Sequence, residues 1–276
     1  MIEIYPIFGF RILRYYIAKN IIMDSTFELI FRNLVFKQSL LISGIGKRTV
    51  MQDYGIHDTS LNKELEWFII CDGIGGVPHG DVAAKTTVET LNNYLKNSLQ
   101  KEEQLRDKSF FEKGIQTITQ KFSNLIECNS EYKQMGCTLC VLINTNTKAY
   151  IYWAGDSRLY FFRNNKFTWD TIPHNFSFDL FKKGILTMEE ARISETNYIT
   201  ASINGYADKI RYDTNIISLK PGDRILICTD GIWGLFDHTD LINVFSKKSL
   251  SDIQAYVEPY LLEYGADNYY GYIIDF

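Results

Sequence analysis

Two stretches of this 276-residue chain end an apolar, strand-length run on an aspartate followed at once by glycine. One is Trp67-Phe68-Ile69-Ile70-Cys71-Asp72-Gly73-Ile74-Gly75-Gly76; the other is Ile225-Leu226-Ile227-Cys228-Thr229-Asp230-Gly231-Ile232-Trp233-Gly234. A short apolar run bounded by glycine reads as a buried strand. An acid at the end of such a strand is costly unless it is paired or bound to a metal. Two such ends in one chain point to a shared polyvalent cation.

The length is enough to bury a large core, as one large domain or two small ones. Hydrophobic residues at 46% and charged residues at 22% are ordinary globular values, and 18 Tyr with 18 Phe indicate a well-packed core before they indicate a ligand. The net charge of −4 argues against a general nucleic-acid binder, which carries a basic patch or stripe. The cysteines, Cys71, Cys128, Cys137, Cys140 and Cys228, are odd in number and mostly in apolar runs. They form no disulfide framework, so a reducing cytoplasm is expected. Cys137 and Cys140 make a lone C-x-x-C on a strand pattern, which sends the two thiols to opposite faces and argues against zinc or redox chemistry.

Residues 1–23 are apolar and aromatic but broken by Arg11, Arg14 and Lys19. Their uncharged stretches are shorter than a membrane span of about 20 residues, and the order of charges and the lack of a small-residue cleavage site do not suit a signal peptide. They read as an N-terminal extension, packed on the domain or poorly ordered, or as an amphipathic segment lying on a membrane surface. Phe27 to Ile45 is strand-like. Ser43-Gly44-Ile45-Gly46-Lys47 invites a phosphate-loop reading, but the spacing is wrong and Arg48 follows the lysine.

Between Arg48 and Asp53 a cation and an acid come close together ahead of the first Asp-Gly unit. Ala84, Val88, Leu91 and Leu95 recur at helical spacing from a start near Asp81, and Phe111, Ile115, Ile118, Phe122 and Leu125 mark a second helix. A meander follows, with strands at Thr138–Asn144, Ala149–Ala154, Arg158–Arg163 and Lys166–Asp170 separated by good turn residues. A short helix is expected near Met188–Arg192, strands at Asn215–Leu219 and Arg224–Thr229, helices at Asp240–Phe245 and Ile253–Tyr264, and a closing strand at Tyr270–Phe276. No linker or repeat interrupts this order. It predicts one α+β domain, residues 24–276, with mainly antiparallel strands.

Asp72, Asp156, Asp230 and Asp267 each sit at a strand end or tight turn beside glycine or asparagine, and Asp53 is a further acid of interest. Magnesium and manganese take oxygen ligands in near-octahedral geometry and keep several waters. Asp-Gly is also a common turn dipeptide, and any one of these aspartates alone reads as a turn or cap residue. The two matched strand-to-Asp-Gly units carry the metal reading.

The ordered set of motifs resembles a known family. Gly46-Lys47-Arg48 with Gln52-Asp53 is followed by Asp72-Gly73-Ile74-Gly75-Gly76 with Gly80-Asp81 and by Gly136-Cys137-Thr138. Ala154-Gly155-Asp156-Ser157-Arg158, His174-Asn175, Gly222-Asp223, Thr229-Asp230-Gly231 and Asp267-Asn268 complete the series. From Gly46 onward the chain is similar to the metal-dependent serine/threonine protein phosphatases of the 2C type, the PPM family, in their compact bacterial form.

The resemblance implies an antiparallel β-sandwich of two sheets flanked by α-helices on both sides, with a binuclear Mn2+ or Mg2+ centre at one edge. It implies that Asp72 bridges the two ions, that the Gly73 carbonyl and Asp230 and Asp267 complete the shell of one, and that Asp53 serves the other. Asp156 would help hold a third ion, and Arg48 would grip the substrate phosphate. The implied reaction is hydrolysis of phosphoserine and phosphothreonine in proteins by a water bridging the ions. The resemblance implies that Arg48, Asp72 and Asp230 carry the catalysis and that the substrate is a phosphoprotein made by a Ser/Thr kinase. Two ions about 3.5–4 Å apart can acidify such a water and clamp phosphoryl oxygens, and a guanidinium matches phosphate bidentately. A monomer with no nucleic-acid partner and no transmembrane segment is expected.

Departures fall mainly outside the acids. Ile74 stands where eukaryotic relatives often carry a histidine that protonates the leaving group, which leaves the proton donor unassigned; His79 is a nearby candidate but reads first as an exposed loop histidine with no role. Pro173 precedes His174 where Asp is common, Ala201 occupies a frequent Arg position, and Tyr269-Tyr270 replace an apolar-Thr pair. Residues 175–198 correspond to the variable flap of relatives. The rival readings are a catalytically weak or inactive domain that binds a partner, and a two-metal phosphodiesterase or nucleotidase.

Overall fold

The computed structural model describes residues 38–276, apart from 61–63, 77, 146, 195–197, 208 and 248. The expected extension, 1–23, and the first part of the strand-like stretch from Phe27 lie outside the described residues. The strands are β1 (Gln38–Gly44), β2 (Asp53–Thr59), β3 (Glu66–Asp72), β4 (Gly136–Cys137), β5 (Leu139–Asn144), β6 (Lys148–Ala154), β7 (Arg158–Arg163), β8 (Lys166–Asp170), β9 (Ile203–Asn204), β10 (Asp213–Ser218), β11 (Asp223–Cys228) and β12 (Tyr269–Asp275). The helices are α1 (Gly80–Ser98), α2 (Lys108–Cys128), α3 (Phe176–Lys182), α4 (Met188–Ile193), α5 (Asp230–Trp233), α6 (His238–Lys247) and α7 (Leu250–Tyr264).

Alternation along the apolar runs sets the layers, because successive side chains of a strand point to opposite faces. In β3, Phe68 and Ile70 enter one core while Trp67, Ile69 and Cys71 enter another. β11 divides in the same way, with Ile225 and Ile227 on one side and Leu226 and Cys228 on the other. A strand buried on both faces needs a layer on each side. One antiparallel sheet runs β1-β12-β11-β7-β8 and the second β10-β6-β5-β3-β2. Their facing sides make the central core. The outer face of the second sheet packs on α1 and α2, and that of the first on α5, α6 and α7. The result is the expected two-sheet sandwich with helices on both sides.

The closing strand β12 is inserted between β1 and β11 rather than added at an edge. This placement carries Asp267 and Asn268, just ahead of it, to the same end of the sandwich as Asp230. The two departures at Tyr269 and Tyr270 are met by glycines. A Cβ at Gly44 would collide with the Tyr269 ring, and one at Gly55 with the Tyr270 ring, whose hydroxyl donates to the Gly55 carbonyl at 3.0 Å.

Most element positions agree with the sequence reading to within a few residues. Strand β2 and helix α3 had no clear signal, since Asp-Tyr-Gly-Ile-His-Asp-Thr is polar on an edge strand and α3 is one short stretch. Cys137 lies in the helix-side core and Cys140 in the central core, on opposite faces as expected. Cys71, Cys137, Cys140 and Cys228 are buried free thiols, and Cys128 is exposed and free. No helix among the described residues is long and apolar enough to cross a membrane.

Trp67, with no exposed surface, ties β3 to α1 by donating its indole N–H to Asn92 Oδ1 at 2.8 Å. Trp67→Phe keeps an aromatic side chain but shrinks it and leaves that buried acceptor without a donor, and the lost hydrogen bond alone should lower stability by about 1–3 kcal/mol. Trp67→Ala should cost about 3–5 kcal/mol. Urea denaturation followed by circular dichroism measures both, and equal midpoints for wild type and Trp67→Phe would contradict the role given to the indole N–H.

Candidate metal centre

The register of one strand pair puts two acids face to face: Asp53, at the start of β2, is opposite Asp72, at the end of β3. Backbone bonds pin this end. The Gly73 N–H donates to the Gln52 carbonyl at 3.1 Å, the Ile74 N–H to the Gly136 carbonyl at 3.0 Å, and the Thr138 N–H to the Asp72 carbonyl at 2.8 Å. The Asp72 N–H in turn donates to Thr138 Oγ1 at 2.9 Å. Gly73 lies back to back with Gly80, where a Cβ would strike the Gly80 backbone. Gly76 has a φ of 82° that favours glycine, whereas Gly75 is neither crowded nor at positive φ.

Asp230 opens α5 directly after β11. The next residue must be glycine, because a Cβ on Gly231 would fall on the Asn268 carbonyl oxygen. Asn268 joins three segments. Its Oδ1 accepts from the Gln52 N–H at 2.8 Å, and its Nδ2 donates to the Ile45 carbonyl at 2.8 Å. Asp267 meets Arg48 Nη2 at 2.6 Å. Asp156 is buried at the turn between β6 and β7, and Trp233 Nε1 donates to its carbonyl at 2.9 Å. The turn is also held by His174, whose N–H donates to the Gly155 carbonyl at 2.8 Å and whose Nδ1 accepts from the Gly155 N–H at 3.3 Å.

Arg48, Asp72, Gly73, Asp156, Asp230 and Asp267 line one cavity of about 510 Å³. Asp53 lies just behind, buried, with Thr229 Oγ1 donating to its Oδ2 at 2.7 Å. All the acids singled out in the sequence therefore converge. Their electrostatics are unfavourable. Burial, and then the charges of Asp230, Asp53 and Asp156, push the Asp72 carboxyl well above the usual carboxylate range. Asp53 and Asp156 are raised first by burial, and Asp230 by burial and then by Asp267. Arg48 is raised in turn by its hydrogen bond to Asp267.

Among the described residues no group of three or more His, Cys, Asp or Glu side chains is arranged as a closed coordination shell. Asp267 pairs with Arg48, and Asp53 accepts from Thr229. The donor set nonetheless fits a hard divalent ion. It is all oxygen, and Asp53 Oδ1 and Asp156 Oδ1 are buried with no hydrogen-bond partner. Buried acceptors are rarely left in that state.

His79 does not join the site. It precedes α1 in the left-handed region at a φ of 64°, with its ring edge-on to Tyr132 at 4.8 Å. Ile74 does line the cavity. Thr229, Asn268, Thr138 and Trp233 stand out only in three dimensions. The first three are polar neighbours within the quoted motifs, but nothing in the pattern told which atom each would hold, and Trp233 read simply as an apolar residue.

Comparison with known proteins agrees with this arrangement. The sequence profile described as Protein phosphatase 2C matches residues 43–261. Protein phosphatase PhpP of Streptococcus pneumoniae is 30% identical over 210 residues, covering 75% of this chain and 83% of that protein. The S. agalactiae serine/threonine phosphatase structure superposes with a TM-score of 0.75 at 25% identity, covering 87% of this chain and 99% of that one. The catalytic domain of the serine/threonine protein phosphatase PstP, solved with two manganese ions, has the same fold, with a TM-score of 0.69 at 19% identity over 87% of this chain and 97% of that one. With the family profile spanning most of its length and its acids gathered at one end of the sandwich, this chain belongs to the protein phosphatase 2C family.

Proposed function

We propose that the protein is a metal-dependent phosphomonoesterase that removes phosphate from phosphoserine and phosphothreonine in proteins. The observation that carries this reading is the convergence of Asp72, Asp156, Asp230, Asp267 and Arg48 on one open cavity, with Asp53 behind it, in a chain of this family. The carboxylates and the Gly73 carbonyl would hold two Mn2+ or Mg2+ ions, with Asp72 between them and Asp156 serving a third. The support is the all-oxygen donor set, the orphaned Asp53 and Asp156 oxygens, and the two manganese ions of the PstP catalytic domain. When bound, such ions polarise phosphoryl oxygens and acidify water for in-line displacement, so no nucleophilic Ser or Cys is needed.

The chain's own residues supply the remainder. Arg48 is half-exposed at the cavity and always charged, which suits it to grip the phosphate bidentately. Asn268 and Thr138 fix the backbone on either side of the acids, and Trp233 and His174 fix the Asp156 turn. The domain is taken as residues 24–276 with 1–23 as an extension, acting as a monomer in the cytoplasm opposite a Ser/Thr kinase. A purely binding descendant is disfavoured, because a binding module has no use for buried like charges held together against their repulsion.

Asp230→Asn should reduce manganese-dependent hydrolysis of p-nitrophenyl phosphate by about 100-fold or more, beyond the loss seen on disturbing outer metal partners. It also removes one of the repelling charges, so the metal-free variant should melt above the metal-free wild type. Its melting temperature should rise less on adding manganese. Differential scanning fluorimetry with EDTA or Mn2+ reads the last two effects, and full activity in the variant would show the site to be misassigned.

Arg48→Ala should raise KM for a phosphopeptide by about tenfold or more, as expected for losing a charge-assisted hydrogen bond. Manganese affinity by titration calorimetry should be unchanged or tighter, since Asp267 loses a competing partner. Weaker manganese binding with an unaltered KM would contradict this role.

A further inference from the structure

Two tyrosines at the same cavity have no part in the chemistry above. Tyr198 is 77% exposed and Tyr206 65%, and both line the cavity with Arg48, Asp72 and Asp230. Ile199 and Trp233 line it as well, so the acidic floor is bordered by a run of apolar and aromatic surface. A single exposed aromatic needs no explanation. Two on one cavity, each on a braced backbone, do.

Tyr198 is held from both sides. The Phe176 N–H donates to the Tyr198 carbonyl at 2.9 Å, and the Thr200 N–H donates to the carbonyl of the fully buried His174 at 2.8 Å. Asn175 and Ile199 form an antiparallel bridge between these bonds. Tyr206 is placed by the side chain of Asn204, whose Oδ1 accepts from the Tyr206 N–H at 3.2 Å and the Ala207 N–H at 2.9 Å. Asn204 itself belongs to β9, paired with β4 beside the Ile74 loop. The backbones are thus fixed on folding, while neither tyrosine side chain has a ring or hydrogen-bond partner among the described residues. Surfaces ordered in advance lose less entropy on binding, and tyrosine offers large contact area with few rotatable bonds.

We infer that Tyr198 and Tyr206 form an aromatic rim that contacts the residues flanking the phosphorylated side chain, and that it selects phosphopeptides with a bulky apolar neighbour. This rests on the phosphatase reading of the same cavity. A flanking phenylalanine or leucine gains an aromatic contact on entry. A glycine offers nothing to the rim, and a flanking glutamate offers it little, because burying its charged head against apolar surface is costly.

The test compares kcat/KM, with manganese present, for three phosphothreonine pentapeptides carrying phenylalanine, glycine or glutamate on both sides of the phosphoresidue. The wild type should prefer the phenylalanine peptide over the glycine peptide by about tenfold, the discrimination a hydrophobic contact commonly gives, with the difference in KM. In the double variant Tyr198→Ala, Tyr206→Ala the ratio should fall to about one, while Tyr198→Phe, Tyr206→Phe should keep it. Because the ratio cancels the fraction of folded enzyme, partial loss of structure does not imitate the result. A wild-type ratio near one, a preference for the glutamate peptide, or an unchanged ratio in the double alanine variant would each overturn the rim. Hydrolysis of none of the three peptides by the wild type would instead overturn the phosphatase reading, and the rim with it.

Discussion

The contact that the rest of the molecule is built to support is the one between Asp72 and its neighbours. Asp53 faces it across the β2–β3 register, and Asp230 approaches from the first sheet. Like charges this close favour splaying apart or taking up protons. They stay together because the strands that carry them are buried on both faces and cannot slide: a one-residue slip in β3 would send Phe68 and Ile70 to the helix side. Four layers, with sheets inside and helices outside, are what lock that register. The expense of the site and the completeness of the core are therefore two sides of one design.

Much of this was legible in the chain because the signals were short-range. The apolar runs before Asp72 and Asp230, the Asn164-Asn165 turn and the helical spacing of Ala84, Val88, Leu91 and Leu95 each report on a few neighbouring residues. They predicted strands, turns and helices that the structure contains. The two positive-φ residues Asn164 and Asn165 between β7 and β8 are one example of local chemistry deciding local shape.

What could not be read depends on contacts far apart in sequence. Tyr270 looked like a departure from the family pattern until Gly55, more than 200 positions earlier, proved to be the space its ring occupies. Asn268 appeared only as the residue after an acid, yet it ties Ile45 and Gln52 to the closing strand. The candidate acids do gather at one end of the sandwich, but their partners could not be read in the sequence, since Thr229 on Asp53 and Arg48 on Asp267 follow from three-dimensional proximity alone. Strand β2 was missed for the same reason. Its sequence is ordinary turn material, and it is a strand because β3 offers it an edge.

The pairing of Arg48 with Asp267 gives the proposed chemistry an order. A guanidinium bonded to a carboxylate at 2.6 Å is already half-satisfied and is a poorer partner for phosphate. On the proposed assignment Asp267 would serve as a metal ligand instead of pairing with Arg48, and the guanidinium would be left to turn its fork to the phosphate. Metal loading and phosphate affinity are in that case linked through one side chain, and linkage is reciprocal: whatever the ion gains from a bound phosphate, the phosphate gains from a bound ion. The arginine that pairs with Asp267 here would, on the same assignment, be the phosphate grip. A lysine would offset the charge equally well, but it could not supply the second, parallel hydrogen bond that the phosphate takes.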